Sequence, residues 1–97
     1  MEIYEQNGHT LINSDVFDGL NSIANKSIDL IFIDPPYNIG KDFNTTKDKW
    51  ETGEEYLNWS YKWIDMCIEK LKSNGTLYIM TSTQYMPYFD TQLYPHV

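Results

Sequence analysis

The chain has 97 residues, of which 41% are hydrophobic and 15% aromatic, and a formal net charge of -7, which bounds it to one small domain with a modest core. No segment is apolar for long enough to span a bilayer and the first residues carry no signal-peptide pattern, so a cytoplasmic protein without a membrane partner is expected. All seven basic residues are lysines, and so acidic and arginine-free a composition argues against a DNA-binding module acting by itself, so that most of the grip on any DNA must come from elsewhere.

Met1 to Gly8 reads as a polar arm in which Ile3 and Tyr4 pack on an edge. Thr10 to Asn13 reads as a short strand. Ser14 or Asp15 then caps a helix in which Val16, Phe17, Leu20, Ile23 and Ala24 recur at helical spacing, ending near Asn25. The run Ile28-Asp29-Leu30-Ile31-Phe32-Ile33 has strand length and is almost wholly apolar, which predicts a mid-sheet strand buried on both faces. Strand, helix and strand form a βαβ unit whose strands are expected to be parallel.

That third segment stops at Asp34-Pro35-Pro36-Tyr37, where neither proline can donate a ladder hydrogen bond. A proline after Asp34, and another after Pro35, keep both residues out of the helical region, so the backbone leaves the strand extended and stiff. With no N–H at positions 35 and 36, nearby carbonyls have fewer local donors and stand available as acceptors. Asp34 adds a carboxylate and Tyr37 a flat aromatic face. Two acceptors beside a ring suit a planar amine such as the exocyclic amino group of a nucleobase, with two N–H donors, a delocalised lone pair and a stackable ring. Hydrogen bonds from its protons to the Asp34 carboxylate and the Pro35 carbonyl favour a pyramidal nitrogen with its lone pair free for in-line attack on an electrophilic methyl. A carboxylate is too weak a base to deprotonate an aryl amine beforehand, so the proton leaves after methyl transfer. A simple strand-ending turn is the bland alternative.

Asn38 to Gly53 shows no sustained period and reads as a long loop beside the corner, a candidate lid. Lys41, Lys47 and Lys49 put three of the seven cations there, to meet nucleic-acid phosphate or simply to solvate the loop. Trp50 either anchors the loop or packs on the core. Thr52-Gly53-Glu54-Glu55 fits a capping box that starts a helix. Leu57, Ser60, Ile64, Cys67, Ile68 and Leu71 trace its stripe, broadened by Tyr56, Trp59 and Trp63, and Asn74-Gly75 closes it. These aromatics read as core rather than as a cofactor box, and Cys67 as buried filler. Thr76 to Ser82 reads as a further parallel strand, giving βαβαβ, and Gln84 to Leu93 as a helix with Pro87 in its first turn. His9 and His96 are isolated, so no metal site is expected.

Asp34-Pro35-Pro36-Tyr37 after an apolar strand resembles the catalytic motif of the S-adenosylmethionine-dependent amino DNA methyltransferases, which modify adenine N6 or cytosine N4. Aspartate at the first position is similar to the adenine-modifying members. The resemblance implies an α/β fold, a partial Rossmann-like methyltransferase sheet. It implies catalytic roles for Asp34, Pro35, Pro36 and Tyr37, and S-adenosyl-L-methionine as cofactor, with Asp15, Val16 and Asp34 at its site. Asp15 accepts from the cofactor's amino group in this reading and is only a helix cap in the alternative. The implied partner is double-stranded DNA with a flipped adenine.

No Gly-x-Gly occurs in the chain, so the glycine-rich loop that holds the cofactor's methionine part in this family is not found. The order of motifs resembles the branch in which the catalytic motif precedes the target-recognition region and that loop. Residues 1–97 are therefore expected to be the amino-terminal part of a catalytic domain, one piece of a truncated or split enzyme, with a complementary carboxyl-terminal polypeptide or another copy as partner. An RNA base or protein methyltransferase, and an inactive piece that only interacts, are the rival readings.

Overall fold

A computed structural model describes residues 1–43, 46–48 and 50–96. Its elements, in chain order, are β1 (Glu2–Gln6), β2 (His9–Asn13), α1 (Val16–Asn21), β3 (Ile28–Ile33), β4 (Lys41–Phe43), β5 (Thr46–Asp48), α2 (Gly53–Lys70), β6 (Leu71–Ile79) and α3 (Met86–Leu93), followed by a 3-10 turn at Tyr94–His96. Helices and strands mix as an α/β fold requires, and β3 and β6 form a parallel pair in register from Leu30↔Thr76 to Ile33↔Ile79. A parallel pair needs a crossover, and α2 supplies it.

The pairing of the first strand differs from expectation. β2 runs antiparallel to β1, with Glu2 opposite Asn13 and Gln6 opposite His9, and among the described residues no sheet joins it to β3. Asn7 and Gly8, both at positive φ (54° and 79°), form the two-residue turn. A hairpin turn with positive φ at both central positions matches the twist of its strands, and Asn-Gly is its commonest sequence. The segment taken for a polar arm is thus half of a hairpin, and βαβαβ reduces to one parallel βαβ unit, β3-α2-β6.

α1 starts where the cap was placed: the Asp15 carboxylate accepts from the Phe17 amide at 2.8 Å. It ends at Asn21, four residues early, because the Ser22 and Ile23 amides turn back onto Gly19 and Leu20 carbonyls. α2 opens on Thr52, whose hydroxyl accepts from the Glu55 amide at 3.1 Å. It too ends early, at Lys70 rather than at Asn74-Gly75. The Lys26 and Ser27 amides reach the carbonyls of Glu69 and Lys70, so the segment entering β3 satisfies the helix end and Leu71 passes straight into β6. The buried Lys70 ammonium donates to the Asn25 side chain at 2.8 Å. α3 carries Pro87 in its first turn as expected.

The core is aromatic. Tyr56, Trp63, Ile64 and Cys67 of α2 meet Tyr85 and Phe89, and Ile31, Ile33 and Ile79 of the sheet pack on them. β3 is accordingly covered on one face only. Its other face leaves Leu30 56% and Phe32 65% exposed, beside Tyr78 of β6 and Met80 just after it; the strand is not buried on both sides. Burial pushes the Cys67 thiol up to about 11, so at pH 8 its thiolate population is about 100-fold below that of an ordinary cysteine. Alkylation by iodoacetamide at pH 8 is therefore expected to be at least 100-fold slower than for free cysteine. A rate within threefold of the free thiol would contradict this packing. Among the described residues no helix is long and apolar enough to cross a membrane.

Candidate active site

The corner after β3 sits at the carboxyl edge of the parallel pair, where open α/β sheets gather ligands. Asp34 is exposed there, and Pro35, Pro36 and Tyr37 are half-buried. The Tyr37 hydroxyl donates to the Asp34 carboxylate, which orients that carboxylate and ties the ring to it. Asn38, at φ 58°, accepts from the Trp50 amide through its side-chain oxygen at 2.9 Å. Its amide nitrogen donates to the Tyr85 hydroxyl, also at 2.9 Å. The Tyr56 hydroxyl donates to the Pro36 carbonyl at 2.6 Å.

A cavity of about 460 Å³ opens beside the corner, lined by Asp15, Val16, Leu20, Ile31, Ile33, Asp34, Pro35, Pro36, Trp59, Trp63 and Cys67. Asp15 and Val16, 19 residues upstream of the motif, thus share one cavity with Asp34 although their strand is not in its sheet. The reason is α1, whose Phe17 packs edge-on against Trp59 of α2 at 6.4 Å and brings the helix start to the rim. Asp15 is the cap of α1 and a cavity-lining carboxylate at once. Apolar walls with two carboxylates at the mouth suit a flat heteroaromatic ring carrying an amino group.

Trp59, Trp63 and Cys67 were assigned to the core, and they are also cavity wall. Their spacing along α2 puts them on one stripe. Tyr56 and Tyr85, which hold the corner from behind, were not anticipated; the contacts they make span 20 and 47 residues of sequence. Of the segment expected to be a lid, β4 and β5 form a small antiparallel ribbon. Lys49 lies outside the described residues, as do the side chains of Lys41 and Lys47.

Residues 28–95 match the family model described as DNA methylase. The chain is 42% identical over 83 residues to the DNA adenine methyltransferase YhdJ of Escherichia coli, covering 86% of this chain and 28% of that protein. It is 42% identical over 78 residues to the type II methyltransferase M.HpaI of Haemophilus parainfluenzae, covering 80% and 24%. To the type II methyltransferase M.BamHI of Bacillus amyloliquefaciens it is 34% identical over 83 residues, covering 86% and 20%. The chain spans between a fifth and a little over a quarter of the length of these relatives. The matched region takes in β3, the Asp34 corner, α2, β6 and α3 together, and the chain belongs to the DNA methylase family.

Proposed function

We propose that this chain is the catalytic-motif part of a cytoplasmic, site-specific DNA methyltransferase that transfers a methyl group from S-adenosyl-L-methionine to the N6 amino group of adenine. The observation that carries the reading is the exposed Asp34 carboxylate at the end of β3, opening on the same cavity as Asp15. The cavity residues fit the adenosine part of the cofactor. Val16, Leu20 and Trp59 offer apolar surface for a ring, and Asp15 an acceptor for its amino group. When bound, the cofactor supplies an electrophilic methyl.

The chain's residues act on the amine. An adenine flipped out of double-stranded DNA stacks on the Tyr37 ring, and its two amino protons are held by the Asp34 carboxylate and the Pro35 carbonyl. That pairing pulls the nitrogen toward a pyramidal geometry and concentrates its lone pair on the side facing the cavity. As the nitrogen becomes cationic, the fixed negative charge of Asp34 stabilises it, and the carboxylate then takes the surplus proton and returns it to solvent. The test is incubation of the complete enzyme with tritium-labelled S-adenosylmethionine and duplex DNA, followed by digestion to nucleosides. Label in N6-methyldeoxyadenosine supports the reading; label confined to N4-methyldeoxycytidine, to RNA or to protein contradicts it.

Base–aromatic stacking contributes ~1–3 kcal/mol per base, so Tyr37→Ala is expected to weaken capture of a flipped 2-aminopurine by about tenfold or more. The fluorescence change on binding an analogue-containing duplex would shrink accordingly. An unchanged signal would remove Tyr37 from the stacking role.

The open sheet face supports a partner. Parallel sheets are ordinarily covered on both sides, yet Leu30, Phe32, Tyr78 and Met80 are exposed together. A complementary polypeptide from the part of the family's length that this chain does not span is the occupant this reading favours over a second copy.

A further inference from the structure

We propose that Tyr56 is a positioning residue that sets which proline carbonyl the corner presents to its substrate, an inference that rests on the methyltransferase reading and adds to it. The ring of Pro36 locks φ, so a single soft dihedral, ψ of Pro36, separates the carbonyl of Pro35 from that of Pro36. The hydrogen bond of 2.6 Å from the Tyr56 hydroxyl to the Pro36 carbonyl fixes that dihedral. It also turns the Pro36 oxygen inward, toward the buried Tyr56. The acceptor the corner offers beside Asp34 is thereby the Pro35 carbonyl, at an angle set from α2.

The surroundings of Tyr56 make this more than a satisfied core hydroxyl. Tyr56 is fully buried, 0% exposed, and packed against Tyr85 with ring centroids 4.7 Å apart, so its hydroxyl has little freedom. Tyr85 holds Asn38, the residue after Tyr37, through a second hydrogen bond at 2.9 Å. Tyr37 is therefore fixed on both sides by one tyrosine pair, and its own hydroxyl is joined to Asp34. Gly53 permits the arrangement, since a Cβ there would come within 3.3 Å of the Tyr85 hydroxyl. Side chains that orient reacting groups from behind act through geometry, and small misplacements cost rate rather than binding.

Tyr56→Phe removes one oxygen and keeps the ring. In the 97-residue chain, amide order parameters of Tyr37 and Asn38 are expected to fall from the rigid range near about 0.85 toward about 0.6, while those of β3 and α2 stay unchanged. In the complete enzyme kcat is expected to fall about tenfold with KM for DNA and for the cofactor within about twofold. Order parameters at Tyr37 and Asn38 that do not change, or a loss spread equally over β3 and α2, would overturn the positioning role. A Tyr56→Phe chain that does not fold would overturn it too, because the hydroxyl would then be structural; Tyr85→Phe, with loosening confined to Asn38, is the independent check on the clamp. Should the unsubstituted enzyme transfer no methyl group, the proposed function fails while the order parameters still decide this inference.

Discussion

Replacing Asp34 with alanine in the complete enzyme is expected to lower methyl transfer by at least about 10³-fold while leaving DNA affinity within about threefold. The asymmetry follows from position. Asp34 lies exposed at the strand end, and its negative charge, which would repel phosphate, contributes nothing to the grip on DNA. Its proposed hydrogen bond to the amine strengthens as the nitrogen gains positive charge, so its removal acts more on the transition state than on the ground state. Asp34→Asn keeps one acceptor oxygen and loses the charge, so it should retain more activity than Asp34→Ala. Single-turnover rates with saturating DNA and cofactor measure both. Near-normal turnover of Asp34→Ala would end the assignment.

Trp63→Ala should have the largest effect on stability. Trp63 is 2% exposed, packs edge-on against Phe89 and Trp59 at 6.1 Å and lines the cavity. Truncating a buried tryptophan costs about 3–5 kcal/mol, a large share of the total stability of about 5–15 kcal/mol typical of folded domains. The midpoint of thermal unfolding, followed by far-ultraviolet circular dichroism, is expected to drop by about 20 °C or lose its cooperativity altogether. A drop of less than about 5 °C would mean that the aromatic cluster is not the core. Because the same side chain walls the cavity, the loss should also extend to any ligand bound there.

What could be read in the residues, and what could not, divides along the range of the interactions. The end of β3 was legible because two prolines forbid a ladder there, and the start of α2 because Thr52 is a good cap at the right spacing; both are local effects. The β1–β2 hairpin was equally local and was missed. Asn7-Gly8 between Tyr4 and Leu11 is its signal, a weak one because few apolar residues flank it. The end of α2 was not local. Leu71 continues the helical stripe, and Asn74-Gly75 is a plausible stop, but the amides of Lys26 and Ser27, over forty residues away, take the last helix carbonyls first.

The two-sided burial expected of β3 failed for a related reason. An apolar run specifies that a strand seeks cover, not that the chain supplies it, and here α2 covers only the Ile31 and Ile33 side. The site itself was half legible. Asp34 to Tyr37 stand out by residue type and place, Asp15 and Val16 by the family resemblance, and Asp15, Val16, Asp34, Pro35 and Pro36 line one cavity. Tyr56 and Tyr85 were not, since a tyrosine on an apolar stripe reads as filler until the carbonyl or amide that its hydroxyl meets is seen.

The most direct measurement is a crystal structure of the complete enzyme with a cofactor analogue and a duplex in which one adenine is extrahelical. The amino nitrogen should lie within about 3 Å of both the Asp34 carboxylate and the Pro35 carbonyl, with the base on the Tyr37 ring. An amino group whose partners lie outside residues 34–37 would contradict the assignment of this corner to the chemistry.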